Sequence, residues 1–273
     1  MNQRILFILV TLLSALVATC SLGGILIPEM YGRETGDWQA QGIAQDIFDL
    51  VFLVPALLIS GRLYRKGSPV VFFILAGSLM FTIYTFIIYT LGVHFNRFFL
   101  IYCFALAVAS YTLIYLLWDT GSRRVKAWFD TTFSATAPFI YLLVFAVLFS
   151  SLWLSEILPA LAAGRIPLVL EQTGLFTNPV HVIDLSFLLP GFVIVAILLR
   201  KKHPLGFLFA PAIMAFSVIM TLSISMLLIY EYAKGFIPDY SPAIAMIFFS
   251  IASLFMFRNF LKNLKTIEGG HHV

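Results

Sequence analysis

Two pairs of ionisable residues near the start of long apolar segments carry the clearest chemical potential in this sequence. Asp46 and Asp49 stand three apart, and His181 and Asp184 hold the same two places in a later segment. A spacing of three puts both members of a pair on one helical face. The helix start beside each pair favours ionised carboxylates. Acids there are costly against lipid, so all four groups are expected to face a bundle interior or a wet cavity, where they would bind a cation, a proton or a cationic solute. The competing reading is a helix cap in headgroup water, and it applies most to Asp46, nearest the edge.

The pairs belong to a longer repeat. Asp49-Leu50-Val51-Phe52-Leu53-Val54-Pro55 returns as Asp184-Leu185-Ser186-Phe187-Leu188-Leu189-Pro190, and Arg65-Lys66-Gly67-Ser68-Pro69 returns in register as Arg200-Lys201-Lys202-His203-Pro204. Pro55 and Pro190 each remove a backbone donor, so kinks are expected beneath the acids, freeing the carbonyls of Val51 and Ser186. A second cluster comprises His94, Arg97 and Glu231. Arg97 is the expected counter-ion for Asp49 or Asp184 unless it snorkels to headgroups. Glu231 would pair with His181 or Arg97, or sit in water. Hydroxyls on the third and seventh apolar segments, Tyr84 among them, are expected to bond to their own backbone or to a neighbouring helix, with lining of a solute path beside the acids as the alternative.

The elements that position these residues follow from composition. With 61% hydrophobic and 11% charged residues, the chain departs far from a soluble profile and requires a lipid bilayer. Its net charge of +4 lies in short basic runs between apolar segments, which argues for topology signals and against nucleic acid. Cys20 and Cys103 fall within apolar segments and read as buried thiols. No nucleophile-elbow, P-loop or dinucleotide pattern is present. The Asp-x-x-Asp and His-x-x-Asp spacings occur often by chance, so neither metal nor cofactor is assigned.

Eight segments reach the roughly 20 residues a crossing needs: 5–27, 43–61, 69–91, 98–118, 136–158, 180–199, 205–229 and 237–257. Basic clusters alternate between loops, which places both termini in the cytoplasm and the acid-rich loops outside. The expected fold is an all-α, multi-pass plasma (inner) membrane bundle of two parallel four-helix repeats, 1–133 and 134–265, followed by a flexible cytoplasmic tail, 266–273. Residues 28–42 read as a short polar outer loop, and 166–170 as a segment on the membrane surface or folded over the bundle. Trp38, Trp118, Trp128, Trp153, Tyr31 and Tyr240 read as interfacial anchors.

The first functional reading is a small-solute or cation/proton transporter with its acidic site near the repeat axis. The alternatives are a membrane-embedded enzyme on a lipid or lipid-linked substrate, with His181 and an acid as its chemistry, or a sensor or assembly module. A homo-oligomer or another membrane partner is compatible with any of them.

Overall fold

The computed structural model describes residues 3–130 and 132–265. The expected tail at 266–273 lies outside these. Among the described residues, eight helices are long and apolar enough to cross a membrane: Gln3–Leu26, Gly36–Lys66, Pro69–Gly92, Phe99–Thr120, Thr136–Ala162, Pro179–Arg200, Pro204–Lys234 and Ser241–Leu261. The chain is therefore an all-helical, multi-pass integral membrane protein. These helices are called the first to eighth spans.

The second and seventh spans are longer than hydropathy alone suggests. The second begins at Gly36, inside the expected loop, with the Thr35 hydroxyl accepting from the Trp38 N–H at 3.3 Å. Its first turns carry Gln41 and Gln45 on a face turned toward protein. A sliding average over neighbours in the chain registers Gly36 to Gly42 as loop-like. The seventh span runs on to Lys234 and so carries Glu231 within it.

Each set of four spans packs as a ring. The first touches the second and fourth, and the third touches both of these; the fifth touches the sixth and eighth, and the seventh touches both of those. Contacts between the sets run from the third span to the sixth and seventh, and from the second to the seventh. The third and seventh spans are consequently the most enclosed, with 67% and 56% of their apolar windows buried against 22–39% elsewhere.

Small side chains permit that central contact. A Cβ on Gly77 would lie 2.7 Å from both the Ala215 Cβ and the Phe216 backbone nitrogen, so the third and seventh spans meet there almost backbone to backbone. At the basic end, the short helix Ser122–Ala127 packs on the seventh span. There Lys126, Arg200 and Lys202 lie over the rings of Phe207, Phe139 and Phe133. Phe129 and Leu264 form an antiparallel bridge that ties the linker between the two sets to the end of the last span.

Both proline-containing segments pass through a wide turn. Asp49–Leu53 and Asp184–Leu188 are π-helical, closed by Val54 N–H to the Asp49 carbonyl and Leu189 N–H to the Asp184 carbonyl. One added residue per turn moves the carbonyl that each proline ring would otherwise strike. Pro55 and Pro190 thus end in π turns within continuous spans rather than in broken helices.

Replacing Gly77 by Ala is expected to cost about 1–3 kcal/mol by overpacking. Gly191→Ala, where an added Cβ meets nothing within 4 Å, should be neutral or slightly stabilising. Thermal melts of the two purified variants in one detergent would measure the difference.

Candidate functional site

At the acidic end, a cavity of about 820 Å³ opens among the second, third, fifth, sixth and seventh spans. Its roof is the short helix Leu168–Thr173 together with Phe236, Ile237 and Pro238. Val169, Gln172 and Thr173 turn inward while Ile166 and Leu168 are exposed, so the 166–170 segment both covers the bundle and presents an apolar outer face. Phe81, Phe145, Leu188, Leu189 and Met220 make an apolar inner end, whereas Asp37, Gln41, Gln45, His181, Asp184 and Glu231 contribute polar groups.

The expected site residues divide into three environments. Asp46 is fully buried and accepts from Tyr31 at 2.7 Å and Tyr89 at 2.9 Å. Gly24 is needed beside it, since a Cβ there would lie 1.8 Å from its Oδ2. Tyr31 lies outside the spans, and its hydroxyl is pushed well above its ordinary value, first by burial and then by the Asp46 charge. It therefore remains a donor. Asp46 is a packed structural carboxyl, not a cap in headgroup water.

Asp49 is also fully buried, but it is not among the residues lining the cavity. Gln45 donates to its Oδ1 at 2.7 Å and accepts from Ser223 at 2.8 Å, making a strap from the second span to the seventh. Its Oδ2 has no hydrogen-bond partner. Both Asp46 and Asp49 lie three to four turns inside the lengthened second span. Support from the helix start, which fades beyond the first turn, does not reach them.

Asp184 does line the cavity and is 3% exposed. The Trp153 indole donates to its Oδ2 at 2.8 Å. The Tyr84 hydroxyl stands beside it, yet neither that hydroxyl nor Asp184 Oδ1 makes a hydrogen bond of normal geometry. His181 packs its ring 4.8 Å from Trp153 and holds Nε2 3.5 Å from a Glu156 oxygen, too far for a good hydrogen bond. Three buried polar atoms, on Asp184, Tyr84 and His181, are thus left unpaired around one cavity. An unpaired buried group costs about 1–3 kcal/mol, which a ligand or water would recover.

The second expected cluster does not assemble. Arg97 is exposed, and among the described residues no cation appears among the groups acting on Asp49 or Asp184. Neutral donors take the place expected for it. His94 is exposed and bonds to Glu34 through both its backbone N–H and Nδ1, away from the cavity. Glu231 is buried at the cavity mouth, facing Asp37 and Gln41 instead of His181 or Arg97.

Sequence reasoning missed Trp153, Glu156 and Gln45 as site residues, while Tyr84 does line the cavity. Trp38, Tyr31 and Trp153 looked like interfacial anchors, but Trp38 donates inward to the Gly92 carbonyl, Tyr31 to Asp46 and Trp153 to Asp184. The hydroxyls mostly follow expectation: Thr82, Thr90, Ser217, Thr221 and Ser225 bond to carbonyls in the preceding turn.

Asp46→Ala should orphan the buried Tyr31 hydroxyl, at about 1–3 kcal/mol, and leave Tyr89 only its long 3.5 Å contact with the Gly42 carbonyl. Asp184→Asn keeps an acceptor for the indole and should stay within about 1 kcal/mol of the parent. Thermal unfolding of both variants would separate the structural acid from the cavity acid; equal losses would contradict that assignment.

No protein-family model, curated protein or solved structure matches the chain, so its function rests on this geometry alone.

Proposed function

We propose that this chain is a small-solute permease of the plasma membrane, built from two parallel four-helix repeats with both termini cytoplasmic. The carrying observation is the cavity between the two sets of spans, with unpaired atoms on Asp184, Tyr84 and His181 among its lining residues. Solute sites in transporters commonly lie at such a repeat interface, next to broken or distorted helices. The two π turns supply that distortion beside the acids.

Several contacts support the repeat. The offset that carries Asp49 onto Asp184 also carries Ser21 onto Glu156 and Asp46 onto His181. Ser21 faces Asp46, as Glu156 faces His181. The crossed contacts of the second span with the seventh and the third with the sixth fit a pseudo-twofold axis along the membrane normal. On this reading Asp184 binds solute, and Asp49 positions Gln45 at the cavity wall. Arg97 and His94 serve the outer surface.

Vesicles containing the purified protein should take up one class of labelled solute saturably when offered cationic, neutral and anionic panels. Asp184→Asn should reduce that uptake at least tenfold. Folded protein that moves none of the panels would overturn the permease reading. Orientation is tested separately in a Cys20→Ala, Cys103→Ala background. An impermeant thiol reagent should label Gln41→Cys in intact cells and Ser122→Cys only after permeabilisation; the reverse pattern would invert the topology.

A further inference from the structure

The walls of the cavity restrict what can occupy it. Its lining includes four carboxyl groups, those of Asp37, Glu156, Asp184 and Glu231, and no Lys or Arg among the described residues. A phosphate, pyrophosphate or carboxylate would enter a field of its own sign with no cation to receive it. That disfavours lipid-linked phosphates and acidic solutes alike.

A small inorganic cation is also a poor fit. Metal ions of the group bound by oxygen take six or more ligands in a tight shell, and no group of three or more metal-ligating side chains converges among the described residues. A proton would need no cavity of about 820 Å³. A charge carried on a larger organic body satisfies both the acids and the volume.

The aromatic walls specify that body further. Trp153 is fixed beside Asp184 by its own indole bond, so its ring borders the acid. Phe149 lies along the same wall, backed by a 4.5 Å stack on Phe145, and Tyr84 completes it from the third span. Aromatic faces next to a desolvated carboxylate attract weakly hydrated cations such as substituted ammonium groups. Beneath them Phe81, Leu188, Leu189 and Met220 form an apolar floor that suits an aryl or alkyl tail. Asp184 is the deepest of these acids in its setting, 3% exposed with Oδ1 unpaired, so it is the natural counter-charge.

We propose that the cavity selects an amphipathic organic cation, its ammonium head beside the unpaired Oδ1 of Asp184 and against the Trp153–Phe149 wall, and its apolar body on the inner floor. The proposal rests on reading the cavity as a solute site. The permanently charged probe benzyltrimethylammonium should bind the purified full chain in detergent, saturably by calorimetry and by quenching of tryptophan fluorescence. Its uncharged carbon analogue neopentylbenzene and the anion phenylacetate should bind at least tenfold more weakly. Asp184→Asn should lower the affinity for benzyltrimethylammonium at least tenfold while leaving neopentylbenzene unaffected, and Trp153→Leu should lower it in the same selective way.

Equal or tighter binding of the neutral or anionic probe, or no binding of the cation to the native chain, would overturn the proposal. Should Asp184→Asn fail to fold, the three probes on the native protein still decide. Cation binding without uptake into vesicles would sink the permease reading alone. Uptake of a neutral or anionic solute with no cation binding would sink the cation proposal alone.

Discussion

Three aspartates are buried within an apolar bundle, and the donors that hold them are neutral. Tyr31 and Tyr89 hold Asp46, Gln45 holds Asp49, and Trp153 holds Asp184. A lone charge in such a setting is expensive, and neutral donors lower the cost without bringing a second ion out of water. The rest of the packing follows from this requirement. The turn after the first span must fold inward to deliver Tyr31, the first span must carry a glycine opposite Asp46, and the second must begin early enough to place Gln45 beneath Ser223.

The degree of satisfaction differs among the acids, and so does their access to the cavity. Asp46 has a donor on each oxygen. Asp49 has one and is joined to the seventh span through Gln45, so the second and seventh spans are tied across the interface between the two sets. Asp184 has one and faces open volume. Only in the last case is the unpaired oxygen on a residue that a solute can reach.

The two copies of the Asp-to-Pro segment share a backbone solution but not a chemical one. Both open into a π turn at the aspartate. Their neighbours differ: a tyrosine-caged aspartate stands three residues before Asp49, and a histidine packed on tryptophan three residues before Asp184. The matched residues and prolines account for the matched backbone, while the cavity draws Asp184 and its aromatic wall mainly from the sixth and fifth spans.

Eight apolar stretches, the paired acids and the paired prolines were legible from residue order, because hydropathy, helical spacing and a missing amide hydrogen are local properties. Span ends were less so. Gly36 to Gly42 reads as loop until the cavity is seen to shelter its polar face. Partner identity was the least legible. Arg97 is the electrostatic choice for Asp184, but Trp153 from the neighbouring span reaches it and Arg97 does not. Sequence by itself determined that carboxyl groups enter the bundle and where along the chain they do so. The tertiary structure decided which became scaffold and which faces a cavity, since a buried acid takes its character from side chains brought alongside by other helices.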